Sequence, residues 1–435
     1  MKILEELVNR NAERREPILV DRSGSLLFAD ISNAVASQAS DFLSIRAGEV
    51  VALIGDFNGP TISAMLRLLD QNVIVMPLTP STQLDHEYFF EAGCVDWVIS
   101  GGEITKRQRP SSSGSQLIEE LRRRQHPGII FFSSGTTGRP KAILHDFYNF
   151  LSRYQVPRPP RRALIFLLFD HAGGINTLLH ILFNGGVVVV PSDRTPTSIA
   201  DDLIKHAIEL LPATPTFLRM MMFEGIFETT TFPALQTVTY GTERMDQSTL
   251  DRLCSSLPLV DFRQTYGLSE LGVFQVKSKA RDSLWMKIGG QGVETRVEND
   301  VLYIRSENAM VGYLNAPSPF VDGWYETGDV VETEGEFIQV VGRATEILNI
   351  GGLKILPREI ERVALLHPDV LRAKARGIDN PISGQHIEIT CQNRPGTTLN
   401  KQNLITHFRM HLQKKLCPHR VILGDVAISH RFKQK

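Results

Sequence analysis

Strand-like apolar runs separated by helix-like segments recur between residue 49 and about residue 270. The first copy reads VVALIG, a turn DFNGP, the helical stretch TISAMLRLLDQ and a second apolar run VIVMP. Runs that are apolar throughout indicate strands buried on both faces, and this spacing is typical of a parallel βαβ unit. GIIFFSS, ALIFLLF and LQTVTYG continue the alternation. We therefore predict doubly wound parallel α/β sheets, with ligands at the carboxyl ends of the strands.

The pattern changes twice after Gly289. VETRVENDVLYIRS and GEFIQVVGR alternate polar and apolar residues, which predicts a small antiparallel, β-barrel-like subdomain. From Glu346 onward two helical segments, the second over residues 401–416, flank a strand pair, which predicts an α+β unit. A chain of 435 residues exceeds the roughly 250 to 300 residues of a single core. We therefore predict an N-terminal domain at 1–344 and a small mobile C-terminal lobe at 345–435.

Composition excludes several classes of protein. The net charge of -1 gives no general attraction to nucleic acid, and no run approaches the ~18 apolar residues of a membrane span. The four cysteines contain no CxxC pair, which argues against a disulfide framework and a zinc site. We expect a cytoplasmic protein with no nucleic acid partner and no membrane span.

A loop rich in small and hydroxyl-bearing residues follows the apolar strand IIFF. It reads SSGTTGRPK and occupies residues 133–141. Free backbone N–H groups and hydroxyls at a strand end suit a bound polyanion, so we predict phosphate binding. The loop is not a GxxxxGK[ST] P-loop, because Lys141 follows Arg139 and Pro140.

Four further motifs follow this loop in the order used by one known family. They are YGTE at 240–243, YGLSE at 266–270, YETGD at 325–329, and a C-terminal set made of GR at 342–343, GGLKI at 351–355 and PREIE at 357–361. Together they resemble the adenylate-forming superfamily of acyl-CoA synthetases, peptide-synthetase adenylation domains and firefly luciferase. The resemblance implies a ligase that uses ATP and Mg²⁺.

The resemblance also implies roles for individual residues. The phosphate loop would grip the β- and γ-phosphates of ATP through Ser133, Ser134, Gly135, Thr136, Thr137, Gly138 and Lys141. Gly241 and Thr242 would border the adenine edge, and Tyr266, with Gly267 after it, would stack on adenine. Thr136 is also a candidate catalytic residue.

The α-phosphate, the metal and the ribose take the remaining motif residues in this resemblance. Ser269 would meet the α-phosphate and Glu270 would hold Mg²⁺, for which a carboxylate is a suitable hard ligand. Asp329 would accept hydrogen bonds from the ribose hydroxyls, and Arg343 would donate to ribose or phosphate.

The last lysine of the family, which meets both the substrate carboxylate and the α-phosphate, corresponds to Lys433. Ser429 stands where the family has threonine, and Phe432 replaces a glycine. Thr345 occupies the hinge position at which the family commonly has Asp or Lys. These departures leave open a degenerate member that only binds a nucleotide or an acyl-adenylate.

The acid is predicted to lie along residues 169–175, FDHAGGI. His171 followed by two glycines resembles the gate of alkyl- and aryl-acid ligases, which we favour, and His171 is a candidate catalytic residue. Phe169-Asp170 also resembles the amino-acid-activating pattern, in which the aspartate pairs with the α-ammonium. Both interpretations remain open at this point.

The thiol acceptor is predicted from charge. In residues 345–435 lysine and arginine outnumber aspartate and glutamate about two to one. A basic lobe suits either the phosphates of CoA or the phosphopantetheine arm of an acidic carrier protein acting in trans. The chain is short for the family, so a homodimer that completes the acid pocket is a further possibility.

Overall fold

The computed structural model describes residues 3–11, 13–38, 42–108, 115–133, 139–350, 353–380, 384–394 and 396–428. These residues form thirteen α-helices: α1 Ile3–Asn11, α2 Phe28–Ser37, α3 Gly59–Asp70, α4 His86–Ala92, α5 Gln116–Arg124, α6 Phe147–Leu151, α7 Ala172–Phe183, α8 Pro196–Lys205, α9 Pro215–Phe223, α10 Ile226–Thr229, α11 Gln247–Ser256, α12 Pro357–Leu365 and α13 Lys401–His411.

The same residues form 28 strands, which belong to four larger sheets and one short hairpin. The strands are β1 Leu19–Asp21, β2 Gly24–Leu26, β3 Val50–Ile54, β4 Ile74–Leu78, β5 Trp97–Ser100, β6 Glu103–Lys106, β7 Gly128–Phe132, β8 Ala142–Asp146, β9 Arg162–Leu164, β10 Val187–Val189, β11 Leu210–Ala213, β12 Thr237–Tyr240, β13 Asp261–Gln264, β14 Gly267–Leu268, β15 Gly272–Val273, β16 Gln275–Ser278, β17 Met286–Gly289, β18 Val293–Glu298, β19 Val301–Ser306, β20 Gly312–Tyr313, β21 Phe320–Val321, β22 Trp324–Glu334, β23 Phe337–Arg343, β24 Leu348–Ile350, β25 Leu353–Ile355, β26 Val370–Asn380, β27 Gly384–Asn393 and β28 Arg420–Leu423.

Two sheets that are mainly parallel make up the larger part of the chain. Sheet A has the strand order β13-β12-β11-β9-β10-β1-β2, and sheet B has the order β20-β8-β7-β4-β3-β5-β6. In sheet A only β2 pairs antiparallel, and in sheet B the antiparallel pairs are β5–β6, β7–β8 and β8–β20. Parallel strands joined through helices are what the βαβ pattern predicts.

Helices cover both faces of each parallel sheet. Helices α1, α2, α3, α6 and α7 lie in the apolar core between sheets A and B. The outer face of sheet A packs against α8, α9 and α11, and the outer face of sheet B packs against α4 and α5. The described residues therefore have the doubly wound arrangement that the sequence predicts.

Sheet C is antiparallel and forms the half-barrel that the alternating sequence predicts. Its order is β16-β17-β23-β22-β19-β18, and β21 pairs with β22. Asn299 and Asp300, both with positive φ, form the two-residue turn between β18 and β19. In the β22–β23 pair Asp329 lies opposite Arg343.

Sheet D and its two helices form the C-terminal α+β unit. The strand order is β25-β24-β27-β26, with β28 parallel to β27, and α12 and α13 cover an apolar core. The sequence pattern predicted that the last helix continues to Leu416. This was wrong, because Leu412 is extended and residues Lys414–Leu416 form a separate 3₁₀ turn before β28.

A 3₁₀ turn at Ala344–Glu346 connects sheet C to sheet D. The division into domains at this turn, and the mobility of the lobe after it, stay predictions. Among the described residues no helix combines the length and the apolar character needed to cross a membrane.

Candidate active site

The two ends of the phosphate loop lie side by side at the carboxyl end of β7. The Ser133 N–H donates to the Lys141 carbonyl (3.1 Å), and the Lys141 N–H donates to Ser133 Oγ (3.1 Å). Of the predicted loop residues, Ser134, Gly135, Thr136, Thr137 and Gly138 lie outside the described residues. The loop therefore begins and ends at one point of sheet B, because it joins the antiparallel neighbours β7 and β8.

Two side chains that the sequence analysis missed anchor the end of this loop. The Tyr88 hydroxyl, on α4, donates to the Pro140 carbonyl (2.6 Å), and Asn315 Nδ2 donates to the same carbonyl (3.1 Å). The Ala142 N–H in turn donates to Asn315 Oδ1 (2.8 Å). Both residues are distant from the loop in sequence, so no local pattern indicated them.

Three of the predicted residues meet in one corner of sheet C. The Tyr266 hydroxyl donates to Asp329 Oδ2 (2.6 Å), and Arg343 Nε lies 3.1 Å from Asp329 Oδ1. The Asp329 N–H donates to Thr327 Oγ1 (3.0 Å). The antiparallel register of β22 and β23 places the aspartate and the arginine directly opposite each other. We call this set Tyr266, Asp329 and Arg343 the ribose corner.

Burial shifts the pKa of two groups in the ribose corner. It raises the pKa of Asp329, and the positive charge of Arg343 opposes this shift. It also raises the pKa of Tyr266, and the nearby Asp329 carboxylate raises it further, so the hydroxyl keeps its proton and donates. An ionised carboxylate has about four lone-pair sites, so Asp329 can accept further donors beside these two partners.

A second corner forms around the tight β14–β15 hairpin, whose turn carries Ser269 and Glu270. Glu270 is buried, and its Oε1 accepts a hydrogen bond from the Tyr313 hydroxyl (2.8 Å). The Met310 N–H donates to the Glu270 carbonyl (2.7 Å). Tyr325 belongs to the same corner, because burial and then the neighbouring Glu270 carboxylate raise the pKa of its hydroxyl. We call Glu270, Tyr313 and Tyr325 the carboxylate corner.

His145, on β8, hydrogen-bonds to the turn of this hairpin and was not predicted from the sequence. Its Nε2 lies 2.6 Å from the Ser269 carbonyl, and its ring contacts Phe131 and Phe150 edge-on. Burial lowers the pKa of His145 to about 4, despite the bond to Ser269. The ring is therefore neutral near pH 7, and because a carbonyl only accepts, Nε2 carries the proton.

The carboxylate corner fits a magnesium ion that also contacts phosphate. No group of three or more His, Cys, Asp or Glu side chains that could hold a metal occurs among the described residues. Mg²⁺, however, is commonly bound by one or two carboxylates together with substrate phosphates and water. Glu270 is a suitable hard ligand for that arrangement.

Gly241 and Gly267 lie where neighbouring backbone leaves no room for a side chain. A Cβ on Gly241, after β12, would overlap Thr265 Oγ1 and lie 2.8 Å from the Thr265 carbonyl. A Cβ on Gly267 would lie 2.6 Å from the Gly272 carbonyl. The exposed Thr242 has a positive φ of 68°. Close backbone approach explains both glycines before any nucleotide is considered.

His171 is the N-cap residue of α7. Its Nδ1 accepts a hydrogen bond from the Gly173 N–H (3.0 Å), and it follows the buried Phe169 and Asp170. Helix α7 contacts β15, which places the predicted acid segment beside the hairpin that carries Glu270. The structure shows a capping role, and a catalytic role for His171 stays a prediction. Lys433 lies outside the described residues.

Comparisons with known proteins agree with this fold. The profile of the family described as AMP-binding enzyme matches residues 98–314. An oxalate–CoA ligase of Arabidopsis thaliana is 25% identical over 360 residues, 75% of this chain and 69% of that protein. A fatty acid–acyl-carrier-protein ligase of Mycobacterium marinum is 26% identical over 344 residues, 68% and 64%. The chain thus spans about two thirds of the length of these curated relatives.

Solved structures match over nearly their whole length. An anthranilate CoA ligase in complex with anthranoyl-AMP has a TM-score of 0.82 at 15% identity, covering 100% of this chain and 95% of that one. ATP-bound MatB of Rhodopseudomonas palustris has a TM-score of 0.81 at 16% identity, covering 99% and 96%. The fold is that of the adenylate-forming enzymes. The chain belongs to this AMP-binding superfamily.

Proposed function

We propose that this chain activates a carboxylic acid with ATP and transfers the acyl group to a thiol. In the first step a carboxylate oxygen attacks the α-phosphorus, the bond to the β-phosphate oxygen breaks, and pyrophosphate leaves with its electrons. In the second step the thiolate sulfur attacks the acyl carbon and AMP leaves. The products are a thioester, AMP and pyrophosphate.

The observation that carries this proposal is the adjacency of the two corners. Residues 266–270 supply Tyr266 to the ribose corner and Glu270 to the carboxylate corner, while β22 supplies Asp329 to the first and Tyr325 to the second. A carboxylate that can accept from a diol therefore lies close to a carboxylate suited to a metal–phosphate complex. Adenylation needs both in one site, because the α-phosphate lies between the ribose and the metal.

Each corner has a role in the first step. Asp329 accepts from the ribose hydroxyls and fixes the nucleotide, and Arg343 donates to ribose or phosphate. Glu270 would hold a magnesium ion, which would offset the negative charge of the phosphates. Lys141, whose Nζ lies 4.7 Å from the centre of the Tyr313 ring, is positioned to reach the β- and γ-phosphates together with the loop hydroxyls, Thr136 included.

The acid and the acceptor are proposed from the names of similar proteins and from the sequence motifs. Relatives carry the names of ligases for oxalate, fatty acids and sulfoacetate, and one structural neighbour is named for anthranilate. We favour an alkyl or aryl acid bound along residues 169–175, with His171 beside it. The acceptor is CoA or a carrier-protein phosphopantetheine in trans, and Lys433 bridges the carboxylate and the α-phosphate during adenylation only.

Acid-dependent exchange of labelled pyrophosphate into ATP tests this proposal across a panel of alkyl, aryl and amino acids. We expect exchange with an alkyl or aryl acid, loss of exchange in Lys433→Ala, and a smaller effect of Lys433→Ala on thioester formation from added acyl-AMP. Exchange with amino acids alone would favour the amino-acid-activating alternative. ATP binding without exchange for any acid would favour a non-catalytic nucleotide-binding protein.

A further inference from the structure

Tyr313 contacts both anion-binding parts of the site through opposite features of one side chain. Its hydroxyl donates to Glu270 Oε1 (2.8 Å), while the Nζ atom of Lys141 lies 4.7 Å from the centre of its ring. The ring itself is buried, with 6% of its surface exposed. One rigid aromatic residue thus separates the end of the phosphate loop from the carboxylate.

The backbone fixes the position of this ring. Strand β20 pairs antiparallel with β8, which places Tyr313 opposite Ile143, two residues beyond Lys141. On the other side, the Met310 N–H donates to the Glu270 carbonyl (2.7 Å), so the segment before β20 is tied to the hairpin turn. Backbone bonds therefore hold Tyr313 at both of its contacts, and side-chain packing alone is not responsible.

The chemistry of the two contacts is complementary. The Tyr313 hydroxyl lies 2.8 Å from Glu270 Oε1, and a phenol that carries its proton near pH 7 acts there as the donor. A hydrogen bond to a charged group that leaves the second carboxylate oxygen for another partner fixes the rotamer without filling the carboxylate. The electron-rich face of the ring attracts an ammonium group without giving it a lone pair, so Lys141 keeps all three donors.

We propose that Tyr313 is a positioning residue that sets Glu270 and Lys141 at a fixed separation for the metal–triphosphate complex of the proposed adenylation. The hydroxyl orients the carboxylate toward the metal, and the ring face holds the lysine toward the outer phosphates. AMP lacks those phosphates, so its binding does not depend on Tyr313. The inference rests on the proposed function for its purpose, but its two contacts can be tested by binding alone.

The test separates the two contacts with two variants. Tyr313→Phe removes the hydroxyl and keeps the ring, and Tyr313→Leu removes both. In the presence of ATP, Mn²⁺ binding is titrated by electron paramagnetic resonance, with Mn²⁺ as a spectroscopic substitute for Mg²⁺. ATP and AMP binding are then measured in EDTA by calorimetry. Tyr303→Phe is the matched control, because its hydroxyl also donates to a carboxylate, that of Glu326 (3.0 Å), but at an exposed position on sheet C.

We expect Tyr313→Phe to raise the Kd of Mn²⁺ on the order of tenfold, with metal-free ATP and AMP binding unchanged. Tyr313→Leu should in addition raise the Kd of metal-free ATP roughly threefold and leave AMP binding unchanged. Tyr303→Phe should match the wild type throughout. In a Glu270→Gln background, Tyr313→Phe should cause no further loss of Mn²⁺ affinity.

Wild-type Mn²⁺ affinity in Tyr313→Phe, or an equal loss of AMP affinity, would overturn the proposal. If Tyr313→Phe does not fold, Tyr325→Phe removes a hydroxyl from the same corner and should raise the Kd of Mn²⁺ by a smaller factor; no rise would count against the proposal. Neither result depends on an acid. A wild type that binds Mn²⁺ and ATP but exchanges pyrophosphate with no acid would refute the proposed function and leave the role of Tyr313 intact.

Discussion

Asp329 illustrates how a residue proposed to bind ribose can work against the stability of the fold that holds it. Burial raises its pKa, which means that the folded state on balance penalises the ionised form. The carboxylate nevertheless receives the Tyr266 hydroxyl and the Arg343 guanidinium. For an acid with a raised pKa, this penalty is absent below the unfolded-state pKa and fully present above the folded-state pKa.

Replacement of Asp329 by asparagine should therefore separate stability from nucleotide binding. We expect the melting temperature of Asp329→Asn at pH 7 to equal or exceed that of the wild type, since the variant buries no charge. The Kd of AMP should rise about tenfold to a hundredfold, because charge-assisted bonds to two ribose hydroxyls are weakened. Calorimetry measures both quantities, and a clear fall in melting temperature with unchanged AMP affinity would contradict the expectation.

His145 gives a prediction about pH. Its folded-state pKa of about 4 lies below the ordinary value of 6.5, so the folded protein binds fewer protons than the unfolded chain between these values. The stability it contributes is present above pH 6.5 and is lost as pH falls toward 4, at up to about 1.4 kcal/mol per pH unit. His145→Gln, which keeps an N–H donor for Ser269, should remove this part of the slope in urea unfolding between pH 7 and pH 5.

His180 provides the control for that measurement. Burial lowers its pKa to about 4 as well, and it lies on α7 away from the Ser269 carbonyl. His180→Gln should reduce the pH slope similarly and leave ATP binding unchanged. His145→Phe, in contrast, leaves the part-buried Ser269 carbonyl without this donor, which costs about 1 kcal/mol and should weaken metal-dependent ATP binding. An identical pH slope in wild type and His145→Gln would refute the neutral, buried assignment.

At the scale of elements, the sequence predicted the strands and their order better than the contacts between them. Apolar runs identified β3, β4 and β7 because strands buried on both faces have few alternatives. Each member of the ribose corner lies in a recognisable motif, but Tyr266 was assigned to adenine, and its hydrogen bond to Asp329 was not predicted. Tyr313 and His145 were missed because their roles come from the β20–β8 pairing and the Ser269 carbonyl, which no local pattern encodes.

Gly174, in the first turn of helix α7, leaves no room for a larger residue, and this can be tested by substitution. A Cβ on Gly174 would overlap the Leu168 carbonyl and lie 3.1 Å from that of Leu167, so the backbone would have to move. Overpacking of this kind typically costs 1–3 kcal/mol. We expect Gly174→Ala to destabilise the protein by about that amount and to raise the KM of the acid more than that of ATP.

A glycine in open space is the matched control for Gly174. A Cβ on Gly289, at the end of β17, would meet no atom within 4 Å. Gly289→Ala should therefore leave unfolding in urea and both KM values close to those of the wild type. Equal effects of the two substitutions would show that the helix start does not constrain the acid segment.

For the molecule as a whole, the contact between the C-terminal unit and the rest carries like charges on both sides. The Arg394 guanidinium of the C-terminal unit lies 4.9 Å from the centre of the Phe223 ring on α9, so the two parts of the chain are in contact there. Burial lowers the pKa of Arg372 and Arg394, and the next cause in each case is an arginine of the larger part, Arg219 and Arg252 respectively. Arg358, with a pKa lowered to about 10 by burial and then by Arg244, repeats this arrangement.

Repulsion across this contact predicts that multivalent anions stabilise the folded chain more than monovalent ones do. At matched ionic strength, sulfate should raise the melting temperature more than chloride does. Arg372→Gln should make the melting temperatures in sulfate and chloride more similar. The corresponding change in the free energy of unfolding is about 1 kcal/mol or less, because the charge is partly exposed. Arg263→Gln, an exposed arginine 2.5 Å from Asp261, is the control and should keep the wild-type difference. If the difference between sulfate and chloride is the same in all three proteins, it reflects general salt effects, and the paired arginines do not determine how tightly the C-terminal unit is held.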